Sequence, residues 1–403
     1  GLVYHLFFPD SYILLISYGI YYVFGLLLGF FEDKADFAVK FLLDPSSIVL
    51  LSRIVTAFLG TAAVVVAYYW GVLIDRSRKT ALIAATFTAL EWQLVLESQY
   101  ALHQTLAALS SLIAFFGMSL ILVSRSRKSY IAGGLTLGFA AASHQSVVLL
   151  VPGLVYILLT DLSEKNKTPL KTLKNWLTLL LFAIFVGVLG NLNWIFMFKE
   201  SFRFFLQGTG AGRVAFSSLQ YFTYDIPSII SWYFSEMIRR DYFIGLFVAL
   251  SFFVGILRRK KLDVLYLIVS FTYFVFFYRW AFRWMHLFVG LIPIAMLFAA
   301  KSLSDIASRL RLSSVTITIF VLLIVSPNII DLMKIDLNKN NYETRQLAKQ
   351  WIEQNVPKGT RIAVDYPAHA VSLSTKYPTL LRNRVAQDYF ENGVPQVIKD
   401  KYL

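Results

Sequence analysis

Residues 48–74, IVLLSRIVTAFLGTAAVVVAYYWGVLI, carry a single charge, Arg53, and are followed at once by DRSRK over 75–79. A helix of about 20 apolar residues reaches across the hydrocarbon of a bilayer, so this stretch is long enough to span. Basic residues crowding one end mark the cytoplasmic side, where Lys and Arg are retained. Outward from this stretch the pattern repeats: 81–97, 100–123, 130–143, 146–160, 176–195, 242–257, 263–278, 284–300 and 315–333 are apolar. Basic clusters follow every second segment: Arg76, Arg78 and Lys79; Arg125, Arg127 and Lys128; Lys165, Lys167, Lys171 and Lys174; Arg258, Arg259, Lys260 and Lys261; Lys301, Arg309 and Arg311. The sequence therefore predicts an all-α polytopic membrane bundle of about ten transmembrane helices.

Composition agrees. The 403 residues are 57% hydrophobic and 15% charged, whereas soluble domains run at roughly a quarter charged, so a soluble multidomain enzyme is excluded. The net charge of +14 sits at the ends of apolar runs rather than in one patch, which makes it a topology signal and excludes nucleic acid as a partner. With no cysteine, chemistry must run on carboxylates, His, Lys, Arg and hydroxyls. The chain opens on Gly1 with no charged region before its first apolar stretch, so it is expected to lack its natural start.

The two ends read differently from the middle. Segment 11–31 is preceded by Pro9 and Asp10 and is rich in tyrosine, which predicts a juxtamembrane helix on the outer surface. Residues 1–333 form the expected membrane domain and 334–403 an extracytoplasmic soluble domain, cut short at Leu403. In that tail Asn340 and Glu343 are spaced as a capping box, ETRQLAKQWIEQN is amphipathic, Pro357-Lys358-Gly359 makes a turn and RIAVD reads as a strand. A small α/β unit follows from that order.

No Gly-rich phosphate loop, His-Glu-x-x-His or nucleophile elbow is present. The candidates are ionisable and polar residues at the ends of apolar helices, since burying them there is costly. Glu97, His103 and Gln104 flank one outward turn; His144 and Gln145 sit at the next; Arg279, Arg283 and His286 occupy a third, YRWAFRWMH. Three outward hairpins thus place polar groups at one depth, opposite the long 196–241 loop with Arg203, Gly208, Gly210 and Gly212. Glu97, His103, Gln104 and His144 are expected to line one cavity. Glu91 and Arg53, inside apolar stretches, fit a structural ion pair as well as chemistry. The alternative for Arg279, and less so for Arg283, which is deeper in its aromatic run, is to snorkel to lipid headgroups.

The run LLSRIVTAFLGTAAVVVAYYWG resembles the second-helix signature of the polyprenol-phosphate-dependent glycosyltransferases of the C superfamily, which include the protein mannosyltransferases and the lipid A aminoarabinose transferase. ESQYALHQTLAAL, GGLTLGFAAASHQSVVLLVPGL, FRWMHLFVGLIP and TRQLAKQWIEQNVPKGTRIAV are similar to segments in the same order in that family, so the resemblance spans nearly the whole chain. It implies a membrane hexosyl- or pentosyltransferase, in the cell membrane with its active face extracytoplasmic, that takes a sugar from a polyprenyl phosphate. The acceptor is an unidentified protein, lipid or glycan.

The family's general base is an Asp in the first outer loop, just before the Pro-led helix that FPDSYILL resembles; that loop would lie upstream of Gly1, so no residue here is assigned as base. Where family members often carry Asp and Lys, this chain has Gln104 and His144, which lowers the charge of any site built there. Direct displacement at the anomeric carbon needs positive groups to meet the departing phosphate, and a guanidinium matches phosphate bidentately. Arg283 and Arg279, with His286 as helper, are the candidates for the donor phosphate. No metal ligands are assigned, and a divalent metal is the one cofactor left open. The rival classes are a transporter or lipid flippase, which would hold its polar residues near the midplane and show internal repeats, and a noncatalytic relative that binds polyprenyl lipid.

Overall fold

The computed structural model describes residues 8–43, 46–100, 103–164, 168–191, 226–277, 288–338, 344–357 and 360. Its helices are α1 (Phe8–Leu27), α2 (Lys34–Leu43), α3 (Ser46–Leu73), α4 (Arg78–Leu90), α5 (Trp92–Ser98), α6 (Gln104–Ser124), α7 (Arg127–Ser143), α8 (Val151–Leu162), α9 (Pro169–Gly190), α10 (Ile226–Arg258), α11 (Lys261–Phe277), α12 (Ile292–Arg309), α13 (Ser314–Asn338) and α14 (Thr344–Asn355). A short 3-10 helix, Gln145–Leu150, precedes α8. Among the described residues there is no strand. RIAVD, Asn340 and Glu343 lie outside them; of the tail, the amphipathic α14 is described.

Every apolar segment read from the sequence overlaps a helix, but among the described residues five helices are long and apolar enough to cross a membrane unaided: Ser46–Leu73, Gln104–Ser124, Pro169–Gly190, Ser235–Arg258 and Ser314–Leu337. This is an integral membrane protein. The other segments are shorter or broken. Segment 81–97 is split at Glu91, whose extended backbone (φ −68°, ψ 127°) ends α4 and starts α5. Boundaries also move, and α10 begins at Ile226, inside the expected 196–241 loop. α9 begins at Pro169, a residue pre-set for a first helical turn, so Lys171 and Lys174 are helical rather than in a loop. α12 runs on to Arg309, and Lys301, expected in a loop, is buried in that helix and paired with Asp75.

The chain divides into two units, one of Gly1–Leu14 and Arg53–Ile329, the other of Leu15–Ser52 and Ile330–Leu403. In the second, Phe31 packs edge-on against Tyr21 and Phe37, with ring centroids 5.5 and 5.0 Å away. Asp36 accepts from the Glu32 N–H and pairs with Lys40 at 3.3 Å.

The first unit is built around α6, α7, α11 and α12. The Gly-rich stretch of α7 explains how α9 comes so close. A Cβ on Gly134 would lie 2.5 Å from the Leu179 carbonyl oxygen, and one on Gly138 2.5 Å from that of Ala183. Small residues four apart let two backbones meet, which in lipid replaces a hydrophobic driving force with van der Waals contact. Tyr266 stacks on Phe298 (4.1 Å between centroids, 4° between planes) to join α11 to α12.

The loops with basic clusters are partly neutralised by acids from neighbouring helices. Arg258 pairs with Asp263 and Asp305. Arg125 pairs with Glu164 and, at 3.6 Å, with Asp161, which also accepts from Tyr130 and Trp176. Arg76, Arg125, Arg259 and Arg311 all take positive φ (51–55°) at or just beyond helix C-termini, the left-handed conformation that closes a helix and that glycine adopts most readily. Arg311→Gly should therefore raise the thermal midpoint slightly, by about 0.5–1 kcal/mol of stability.

The topology read from the charges has a direct check. The chain has no cysteine, so single cysteines can be placed in a clean background. Ser77 caps α4 by accepting the Thr80 N–H, which makes the exposed Lys79 the better position on that side. Cysteines at Lys79 and at Ser372 are expected to label from opposite sides with an impermeant reagent; labelling from one side would overturn the assignment.

Candidate functional site

The helix ends opposite the basic clusters bring two polar groups together. In the first, His103 is the residue before α6 and His144 the residue after α7, and their rings stack at 5.5 Å with 20° between planes. His144 is extended (φ −160°, ψ 142°), and its Nδ1 accepts the Ser146 N–H at 3.1 Å, so the imidazole caps the 3-10 helix. The same Nδ1 lies 2.8 Å from the Ser146 hydroxyl. An Nδ1 that accepts leaves the proton of the neutral ring on Nε2. Burial, then repulsion from His103, lowers the His144 pKa from 6.5 to about 4. This ring is neutral at physiological pH, and the charge a Lys would have supplied is absent.

The sign of the pH effect follows. The unfolded chain takes up a proton on this histidine below about pH 6.5, while the folded one does so only near 4, so the contribution to stability is present above about 6.5 and is lost as pH falls toward about 4. His144→Asn keeps an acceptor for the Ser146 N–H but cannot ionise. Thermal midpoints followed from pH 7 to 5 should fall further for wild type than for this variant; parallel curves would show that the ring is protonated when folded.

Around the imidazoles sit more polar atoms. The Gln104 side-chain oxygen is buried with no donor. The Tyr273 hydroxyl faces Ser146 and Ser111 without reaching hydrogen-bond geometry. Gly290 makes room for it, since a Cβ there would stand 2.4 Å from the Tyr273 oxygen and 2.7 Å from that of Ser111. Such a cluster offers neutral donors and acceptors, suited to hydroxyl-bearing ligands rather than to a bare charge.

Glu97 belongs to the second group. It accepts from the Gln93 amide at 2.6 Å, and the Gln93 oxygen in turn accepts from Arg240 at 3.3 Å. Arg240 donates to Glu236 at 2.7 Å and lies over the Trp92 ring, 4.3 Å from its centroid. Beyond it, Asp241 accepts from the Trp92 N–H and from the Asn328 amide, both at 2.9 Å, and its carboxyl is within hydrogen-bonding reach of Glu91. The partner of Glu91 is thus a second acid rather than Arg53. Glu91 and Asp241 border a cavity of about 570 Å³, counted to its open mouth, otherwise lined by apolar side chains that include Tyr233, Met237, Phe252, Phe274 and Phe288.

Of the expected site residues, the structure unites His103 with His144, places Gln104 next to His103 in the first turn of α6, and ties Glu97 to Arg240 instead. Arg279, Arg283 and His286 lie outside the described residues, as do Arg203, Gly208, Gly210 and Gly212. The sequence reading missed Glu236, Arg240, Asp241 and Asn328. The signal was present in SEMIRRDY (235–242), a charged run abutting a span, and in Pro327-Asn328 within an apolar helix. Among the described residues no group of three or more His, Asp or Glu side chains could hold a metal ion.

Residues 12–202 match the family model described as dolichyl-phosphate-mannose-protein mannosyltransferase. That is a family the sequence resembles. Among solved structures the chain is similar to ArnT from Cupriavidus metallidurans in the apo state, at 15% identity over 63% of this chain and 45% of that one, with a TM-score of 0.48. It is also similar to the archaeal oligosaccharyltransferase AglB from Archaeoglobus fulgidus in complex with an inhibitory peptide and a dolichol-phosphate, at 15% identity over 78% and 48% of the two chains, with a TM-score of 0.44. The chain thus spans about half the length of these two structures. No curated protein matches it significantly.

Proposed function

We propose that this protein is a membrane glycosyltransferase that moves a sugar from a polyprenyl-phosphate donor to an acceptor hydroxyl on the extracytoplasmic face, with inversion at the anomeric carbon. What carries the reading is the match of residues 12–202 to the mannosyltransferase family. The His103–His144 group adds support, because it gathers neutral hydrogen-bonding atoms at the helix ends opposite the basic loops, where sugar hydroxyls could be held.

In this mechanism a general base takes the proton of the acceptor hydroxyl as its oxygen attacks the anomeric carbon and the bond from that carbon to the phosphate oxygen breaks. Arg283, with Arg279 and His286, meets the charge that grows on the departing phosphate. The neutral His144 Nε2–H and Gln104 oxygen orient the sugar rather than move charge. No step calls on a metal. Membrane lipid is the second partner, and the 334–403 unit helps to place the acceptor.

Donor recognition can be tested apart from turnover. Adding a polyprenyl phosphate to the full-length protein in detergent is expected to raise its thermal midpoint in proportion to saturation, while inorganic phosphate or a neutral polyprenol does not. Equal stabilisation by the neutral polyprenol would mean that the chain binds the hydrocarbon and does not read the phosphate.

A further inference from the structure

Two interrupted helices and a third that carries an internal proline meet at one buried point. α4 gives way to α5 at Glu91; α10 bends at Tyr242, whose backbone (φ 44°, ψ −113°) is not helical; and α13 contains Pro327. The side chains at these breaks bind one another. Glu91 accepts the Leu94 N–H at 2.6 Å, and Asp241, across from it, accepts the Trp92 N–H two positions earlier on the same turn. Asn328 donates to Asp241 and, at 3.1 Å, to the Leu90 carbonyl left without a helical partner by the break. Glu91, Asp241 and Asn328 are at most 3% exposed.

Two carboxyl groups within hydrogen-bonding reach of each other cannot both be ionised without placing two oxygen lone pairs, and two like charges, face to face. The charged groups around them do not supply the missing cation. Arg240 is engaged by Glu236 and Gln93, and Arg239 by Glu236 at 2.9 Å. Glu97 adds another acid on the α5 side. α11 with Phe274, and α12 with its N-cap Leu291 and with Ile292, Ala295 and Met296, line the same cavity as the pair, and α13 contributes the neutral Asn328.

We propose that Glu91 and Asp241 share a single proton, and that this protonated pair is a latch holding the bend of α10 at Tyr242. The bend separates Tyr233 and Met237 from Val248 and Phe252, all four of which line the cavity. Loss of the proton drives the carboxylates apart, frees the outer half of α10 and changes the width of the cavity, so the latch ties the proton to the shape of that chamber. It stands independently of the glycosyltransferase reading.

Infrared spectra of the purified protein in lipid at neutral pH test the proton. They should show the carbonyl band of a protonated carboxylic acid, shifted in heavy water and lost in both Glu91→Gln and Asp241→Asn, since each amide supplies its own donor to the remaining carboxylate. Absence of the band in wild type, or a band that survives both substitutions, overturns the shared proton. The latch is tested by spin labels on cysteines replacing Ser235 and Lys261, which report the bend of α10 against the start of α11. The distance distribution should be alike in wild type and Glu91→Gln and broader in Glu91→Ala, with a thermal midpoint several degrees lower. If Glu91→Ala does not fold, Asn328→Ala, which cuts the third arm, should broaden it in the same way. A distribution unchanged in the folded alanine variant overturns the latch.

Discussion

Replacing Arg283 by lysine is expected to reduce sugar transfer about ten- to a hundredfold although the charge is kept. Its place at the start of an apolar segment, among Trp280, Phe282 and Trp284, sets the guanidinium at headgroup depth in the sequence reading. Lysine loses the planar fork, so two parallel hydrogen bonds to a phosphate become one flexible contact. A charge-assisted hydrogen bond contributes about 1.5–3 kcal/mol, and each 1.4 kcal/mol is about a factor of ten. A loss mainly in kcat places the contact in the transition state, where the leaving phosphate gains charge; a loss mainly in KM means that the arginine only holds the donor. Wild-type turnover in both Arg283→Lys and Arg283→Ala would make the residue a lipid-facing snorkel.

The second large effect concerns the fold. Gly138→Ala and Gly134→Ala each put a methyl 2.5 Å from a backbone carbonyl oxygen of α9, and backbone cannot yield as a side chain can. Each should lower stability by about 1–3 kcal/mol, and Gly138→Leu by more, because α9 must move away. The two positions share one partner helix, so their effects should not simply add. Gly187, whose nearest neighbour to a new Cβ is 3.8 Å away, is the control: Gly187→Ala should be tolerated. Thermal midpoints in a lipid nanodisc separate these variants. Equal behaviour at Gly138 and Gly187 would show that α7 and α9 are not in backbone contact.

What was legible in the sequence is what short-range pattern records. The unbroken run of α3, the basic clusters after every second segment and the helix-end positions of His103 and His144 all follow from hydropathy and charge along the chain. The stacking of those two rings was within reach, since the turns that carry them both face away from the basic loops. The Glu91–Asp241–Asn328 junction was not. Its hydrogen bonds join residues 149, 87 and 238 positions apart, and periodicity says nothing about which helix faces which. Lys301 misled for a similar reason. A charge appeared to end an apolar segment, whereas Asp75, 226 positions away, neutralises it inside the helix. Glu97 is buried, and its partners could be found only once α10 was seen to bring Arg240 beside Gln93.

Sugar transfer from a polyprenyl phosphate on the face opposite the basic loops is the activity we propose. The direct measurement is to reconstitute the full-length protein in vesicles, supply a labelled polyprenyl-phosphate sugar and candidate acceptors from that side alone, and follow both the label and the lipid. Label is expected to move to an acceptor with inverted anomeric configuration, free polyprenyl phosphate to accumulate, and Arg283→Ala to suppress both. Movement of the intact lipid-linked sugar across the bilayer, with no transfer of label, would contradict the proposed activity and assign the protein to the transporters.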